Sequence, residues 1–548
     1  MALRRNALVL AGYAAISFLY FGVRLLAHPG RSYVGEGADP EIFIWSLAWW
    51  PHAMLHGENP VVTHAIWAPD GVNLAWATSI PGLALALAPL TLTAGPVVAY
   101  NIVAILMPAL AAWTAFLLCH RVAGRLWPAI VAGYLFGFST YMLGQQFGHV
   151  HMTSVFLLPL VALLVLRRLD GEIGDRRFAV LLGLLLAAQI SLSTEVALTL
   201  TLALVVGLGL AWVAAPGRRA HLRALAAPLA AAYGVGALVA SPLLVYALRD
   251  FEHASINPPA LYTADLLNFV VPTGIVAASG AWATTLASHF PGNTSERGAY
   301  IGVPTLLMIA LHAVRSHGTA ATRFLLAALG AASLAALGGT LVVAGRRTVP
   351  LPWTLVDDLP GLNNVLPVRL SVFVLLAAAV LVARWLADER TPRWLRLLLA
   401  ALAVASVVPH PQVSWRTKPN RPGFFTDRRY EAALAPNDNV IVIPYGANGD
   451  SMLWQAEGGF DFRMAGGYVR PNPPQSFARL PAVRALNDEV PPPGGAADLR
   501  AFARAKGVTA IVVARDSDRW RPLLAPFGPP RALDSVLLYR LGLSRSNR

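Results

Sequence analysis

The chain has 548 residues, 56% of them hydrophobic and only 13% charged, which leaves too little polar surface to coat a water-soluble globule. Its net charge of +14 would raise nucleic acid as a partner in a soluble protein. Here many arginines sit in short loops between apolar blocks, where they set membrane topology, and nucleic acid is set aside. The single cysteine, Cys119, excludes an internal disulfide and a cysteine-based metal site.

The apolar residues fall in blocks of about 16–24, the helical length that crosses a ~30 Å hydrocarbon core, and lack the ~10-residue alternation of a membrane barrel. Arg4 and Arg5 precede the first block, about 7–27. They place the N-terminus in the cytoplasm, and the absence of an A-x-A site near Ala27 makes this block a retained first span. The mixed segment from His28 to about Thr78 is the predicted first outer loop. Trp45, Trp49 and Trp50 within it suit a helix lying at the membrane interface. Residues 79–95, apolar but interrupted at Pro81, Pro89 and Pro96, predict a broken helix dipping into the membrane.

Further spans are predicted at about 97–119, 128–144, 154–166, 178–193, 196–213, 224–247, 299–314, 324–344, 370–386 and 395–409, giving about eleven in all. The loops this register places inside carry Arg121 and Arg125, the group Arg167 to Arg177, Arg218 to Arg223, Arg315 and Arg323, and Arg390 to Arg396. The outer ends carry few, with Arg346 and Arg347 the main exceptions. From His410 onward the chain turns polar and rich in Pro and Gly. Strand-like runs at 440–443, 508–513 and 535–539 and a helical stretch at 496–506 predict a small α/β domain. The expected architecture is a multi-pass α-helical membrane domain, 1–409, followed by a periplasmic α/β domain, 410–548.

The first outer loop is the richest in chemistry. Glu36, Asp39 and Glu41 fall within six positions, between the first span and the predicted interfacial helix. Asp39 before Pro40 is a fair helix N-cap. A carboxylate held at the membrane surface is equally suited to take a proton from a hydroxyl.

Cations at outer ends of spans are few. Arg369, in Leu362-Asn-Asn-Val-Leu-Pro-Val-Arg369, and Arg297, in Glu296-Arg297-Gly-Ala-Tyr300, are candidates to hold a phosphate, with Tyr300 beside the second. Arg24, within the first span, is a third. His149 and His151 can serve as acid, base or sugar ligands, and two histidines at that spacing are a weak metal signal. Glu195, in a tight turn between spans, is either solvated or turned into a polar cavity. Trp454, Gln455 and Tyr468 lie in an aromatic run that can stack on carbohydrate or form a domain core. No Walker loop, dinucleotide fingerprint or G-x-S-x-G elbow occurs.

This layout resembles the GT-C superfamily of membrane glycosyltransferases over residues 1–409: many spans, a large first outer loop with an interfacial helix, and an acidic residue early in that loop. By position Asp39 matches the family's catalytic aspartate, with Glu36 and Glu41 as alternates, although the adjacent acidic pair of some members is absent. The resemblance implies a sugar donor on polyprenyl phosphate, an envelope glycan, lipid or protein acceptor, and transfer at the outer face of a bacterial plasma membrane. No resident cofactor is expected beyond the lipid-linked donor itself, with a divalent metal only weakly signalled. Asp39 is then the expected general base, and Arg369 or Arg297 the phosphate clamp. Two other readings compete. A transporter of lipid-linked saccharide would need paired broken helices or repeats, and only 79–95 is of that kind. A scaffold would carry a degenerate site.

Overall fold

The computed structural model describes residues 2–250 and 255–541. Met1, residues 251–254, and residues 542–548 of the predicted tail domain lie outside the described residues. The chain divides into two units. The first comprises Met1–Leu26, Ile102–Pro242 and His253–Trp415, and the second Ala27–Asn101, Leu243–Glu252 and Arg416–Arg548. The second unit thus includes the first outer loop as well as the tail.

Among the described residues six helices are long and apolar enough to cross a bilayer: Leu3–Leu25, Pro96–Ala123, Leu126–Gln145, Val150–Leu169, Thr194–Ala214 and Pro367–Ala387. A seventh is added if Pro216–Ala224 and Ala226–Val239, bent by 43° at their junction, form one span. The protein is a helical membrane protein.

The expected count of about eleven is not reached on this measure, for local reasons. Asp175–Leu192 carries Asp175, Arg176 and Arg177 in its first turn. Val303–Ser316 and Arg393–Ser406 have 14 residues each, about 21 Å of helix and short of a ~30 Å core. The predicted span 324–344 stops as the helix Ala320–Ala336, because Gly338 turns the chain at φ +73°. Thr340–Val343 then pairs antiparallel with Arg346–Pro350 as a hairpin.

In the first unit, small residues let helices approach closely. A Cβ on Gly137 would lie 2.4 Å from the Ala112 backbone, and one on Gly133 would lie 2.5 Å from the Ala112 carbonyl. Residues 79–95, in the second unit, form two short helices, Pro81–Ala86 and Ala88–Ala94, each opening with proline in its first turn.

In the second unit a five-stranded sheet runs, edge to edge, Arg463–Met464, Asn439–Ile443, Ala510–Ala514, Val536–Arg540, Arg531–Leu533. The first three strands are parallel and the last two antiparallel to their neighbours. The central strands Asn439–Ile443 and Ala510–Ala514 are buried throughout, which explains their unbroken Val and Ile runs. The helix Ala496–Lys506 precedes the third strand.

The helix predicted around Trp45 forms as Asp39–Leu55, but its tryptophans are interior rather than at a headgroup layer. Trp45 donates to Gln455 Oε1 at 2.8 Å and Trp49 to the Pro60 carbonyl at 3.0 Å, and the two indoles stack 5.4 Å apart. These buried partners outweigh the headgroup preference of an exposed indole. Gln455 also donates to Ala65 and Phe462, and Trp454 donates to Asn420, so this pair is core.

Candidate functional site

The predicted site residues gather into a polar cluster in each unit, and each cluster is described on its own.

In the second unit, Tyr33 pairs with Thr417 through two backbone hydrogen bonds of 3.0 and 2.9 Å, which pins the start of the acidic loop. Gly35 and Gly37, at φ +114° and +74°, then turn the chain into the Asp39–Leu55 helix. Ala38, and not Asp39, occupies the N-cap. Asp39 sits in the first turn, half-buried, and its Oδ1 accepts a 2.8 Å hydrogen bond from the Tyr468 hydroxyl. Its carboxylate therefore does not cap the helix: it is oriented by a phenol 429 residues away in sequence.

Glu36 is exposed, whereas Glu41 is fully buried. Glu41 accepts from the Tyr33 hydroxyl at 3.2 Å and from the Leu453 N–H at 3.3 Å, and it faces Asp450. Burial first, then the hydrogen bond to and repulsion by Asp450, push its carboxyl well above the usual carboxylate range. Burial and the neighbouring Asp450 thus favour the neutral form of Glu41, which suits it less to the part of a base. The three acids of the loop thus have three environments: solvent for Glu36, a phenol for Asp39, and a second carboxyl for Glu41.

In the first unit, Arg369 sits in the turn Pro367–Leu370 that opens a span. It is clasped by two carboxylates. Nη1 lies 2.5 Å from Glu195 Oε2, and Nη2 and Nε lie 2.5 and 3.0 Å from Glu296 Oε1. Ser193 caps the Thr194–Ala214 helix by accepting from the Val196 N–H, which sets Glu195 in the first turn where the helix dipole favours an anion. Asn293 accepts from the Glu296 N–H at 3.2 Å and so positions the second acid.

Glu296 Oε2 also accepts from Gln145 Nε2 at 3.0 Å, and His149 Nδ1 stands 2.7 Å from Gln145 Oε1 and 3.7 Å from Glu296 Oε1. Burial alone would raise the Glu296 carboxyl. Arg369, His149 and Gln145 together outweigh it and hold the group below its ordinary range. His151 is buried, its ring 5.9 Å from that of His149 in an edge arrangement.

Arg297 lies apart from the carboxylates and donates to the carbonyls of Gly292, Ser288 and Pro291 at 2.9, 3.3 and 3.4 Å. Tyr300 is buried against Ser406, and its carbonyl accepts from Thr140 at 2.8 Å. Arg24 donates to the carbonyls of Pro411 and Val413. Among the described residues no group of three or more His, Cys, Asp or Glu is arranged to hold a metal ion.

Of the predicted residues, the structure brings Arg369, Glu195 and His149 into one network and places Asp39 and Glu41 on one helix. Glu296, Gln145 and Tyr468 complete these clusters. Glu296 is the immediate neighbour of Arg297, and an acid–base pair entering an apolar helix was the signal that marked it.

A family model described as a domain of unknown function, DUF6311, matches residues 9–405. No curated protein matches the chain by sequence. Solved structures share its fold at low identity. The archaeal oligosaccharyltransferase AglB from Archaeoglobus fulgidus, in complex with an inhibitory peptide and a dolichol-phosphate, aligns at 13% identity with a TM-score of 0.53, over 95% of this chain and 70% of that one. The arabinofuranosyltransferase AftD from Mycobacteria aligns at 15% with a TM-score of 0.60, over 99% of this chain but only 42% of the larger enzyme. ArnT from Cupriavidus metallidurans, bound to undecaprenyl phosphate, aligns at 12% with a TM-score of 0.50, over 99% of both chains. The fold is that of the GT-C glycosyltransferases, as the sequence resemblance implied.

Proposed function

Because the chain belongs to the DUF6311 family and has the GT-C fold, we propose that it is a membrane glycosyltransferase that moves a sugar from a polyprenyl-phosphate carrier to an envelope glycan, lipid or protein. The observation that carries this reading is Asp39: a half-exposed carboxylate in the first turn of a helix, held by the Tyr468 hydroxyl at 2.8 Å. In the proposed step Asp39 takes the proton of the acceptor hydroxyl, that oxygen bonds the anomeric carbon, and the bond from this carbon to the carrier phosphate breaks. The phosphate leaves with the electron pair. Glu36 is the alternate base. Glu41, buried and bonded by the Tyr33 hydroxyl and the Leu453 N–H, serves as a positioning residue.

Lipid-phosphate carriers occupy the ArnT and AglB structures, which supports the same donor class here. Arg369 is the proposed phosphate holder, and its two carboxylates set a condition on that role. A phosphate must displace one of them, and Glu195, with its side chain 20% exposed against 2% for Glu296, is the partner that yields. His149 and His151 are assigned to supporting this cluster, and Arg297 and Tyr300 to shaping the loop that carries Glu296. The proposed setting is a bacterial plasma membrane, with the N-terminus cytoplasmic and residues 410–548 periplasmic.

The test is a proteoliposome assay with a panel of labelled polyprenyl-phosphate sugars and envelope acceptors. The expected result is label on an acceptor with release of free polyprenyl phosphate. Label crossing the bilayer with the sugar–phosphate bond intact would replace this reading with a transporter.

A further inference from the structure

The second unit contains a cavity of about 370 Å³ that the transfer reading does not use. Its volume falls at the lower end of the range of small-molecule sites. One wall is aromatic. Trp49 and Phe460 meet edge to face at 5.3 Å, and His52 packs on Phe460 at 4.7 Å. The rim carries Glu58, Asn437 and Arg463, all exposed. Among the described residues, none of these three side chains makes a hydrogen bond or ion pair. Arg463 lies on the edge strand Arg463–Met464 of the sheet, so its position is fixed by the fold.

Two lining residues, Phe460 and Asn437, hold left-handed backbone, at φ +65° and +62°. For phenylalanine that conformation is costly, and such strain persists where the surroundings impose it, often at ligand sites. The Asn437 N–H bonds the Asp461 carbonyl at 3.0 Å, which ties the two strained positions together.

We propose that this cavity binds a neutral saccharide. Three features select that class. The half-buried His52 ring, packed on the buried Phe460, accepts the apolar C–H face of a sugar ring. The rim offers a pure acceptor in Glu58, a pure donor in Arg463 and both in Asn437, and vicinal hydroxyls satisfy all three at once. An anion would meet Glu58 and a cation would meet Arg463, so the rim disfavours a charged ligand. His52 agrees: burial, with His56 beside it, outweighs the opposing charges of Glu58 and Asp461 and lowers its pKa, which favours the neutral imidazole. The site is distinct from Asp39 in its residues, and its occupancy does not depend on transfer.

The test is saturation-transfer NMR on the full chain in nanodiscs, without any donor and without glycoside detergents. The probes are methyl glycosides of hexoses and pentoses, inorganic phosphate, and a nucleoside. At least one glycoside is expected to bind. Arg463→Ala, Glu58→Ala and Asn437→Gly, the last compatible with the positive φ, are each expected to weaken it about tenfold or more with unchanged thermal stability. Asp39→Asn is expected to bind as the wild type does, which separates this site from the transfer reading. The proposal is overturned if no glycoside binds up to about 10 mM, if binding survives the three rim substitutions, or if phosphate or the nucleoside occupies the cavity in preference to every glycoside.

Discussion

Replacing Arg369 by glutamine removes the guanidinium that bridges Glu195 and Glu296 while keeping a polar side chain. In the wild type three nitrogens of the guanidinium bond two carboxylates at 2.5–3.0 Å, with side-chain exposures of 10%, 20% and 2% for Arg369, Glu195 and Glu296. Removing one partner of a buried ion pair typically costs about 3–5 kcal/mol, because the remaining charge keeps its desolvation penalty. Here two carboxylates remain. Glu296 retains Gln145, so Glu195 bears most of the loss. Arg369→Gln is therefore expected to destabilise the protein by about 3–5 kcal/mol. Adding Glu195→Gln should then restore about 1–3 kcal/mol as the coupling energy of neighbouring sites. The assay is reversible denaturant unfolding in mixed micelles for the wild type, both single variants and the double variant. An Arg369→Gln protein within about 0.5 kcal/mol of the wild type, or single effects that simply add, would refute the clasp as a stabilising unit.

Tyr468→Phe removes the hydroxyl that bonds the Asp39 carboxylate, a bond that favours the charged form. The acid limb of the transfer rate should move about one pH unit upward, and an unmoved limb would show that this bond does not tune the base. Glu457, buried beside Arg421 at 2.5 Å, has its carboxyl pushed up to about 7, burial outweighing the ion pair. Folding then takes up a proton between the ordinary value of 4.5 and about 7, so stability falls as pH rises through that window. Glu457→Gln should flatten that part of the stability–pH curve by roughly 3 kcal/mol, and an unchanged slope would contradict the assignment. Gly137→Ala forces a Cβ to within 2.4 Å of Ala112, and thermal unfolding should report a loss of about 1–3 kcal/mol.

The membrane character, the acidic first loop and the tail strands were legible because each is written locally: apolar runs, three close carboxylates, and Val- and Ile-rich segments. Span ends were less so. Helix Ala320–Ala336 stops just before Gly338, whose positive φ leads the chain into a hairpin, and the apolar residues continue past it. The place of the tryptophans was misjudged because an amphipathic ring suits both a headgroup layer and a polar core. Gln455 decides between them from 410 residues away. The two clusters were legible only in part. Arg369 meets Glu296 and Glu195 across 73 and 174 residues, and Asp39 meets Tyr468 across 429, separations at which a single sequence carries no pairing signal. Asp39 also read as an N-cap, since Asp-Pro is equally apt one position further into the helix.

The central claim is that Asp39 is the base of a sugar transfer, and Asp39→Asn tests it while preserving shape. Reconstituted protein is assayed for the wild-type donor and acceptor pair, with carrier binding measured in parallel. The account predicts that the variant still binds the polyprenyl-phosphate sugar while its transfer rate falls by about 10²–10⁴-fold. Transfer within tenfold of the wild type, at equal donor binding, would contradict it.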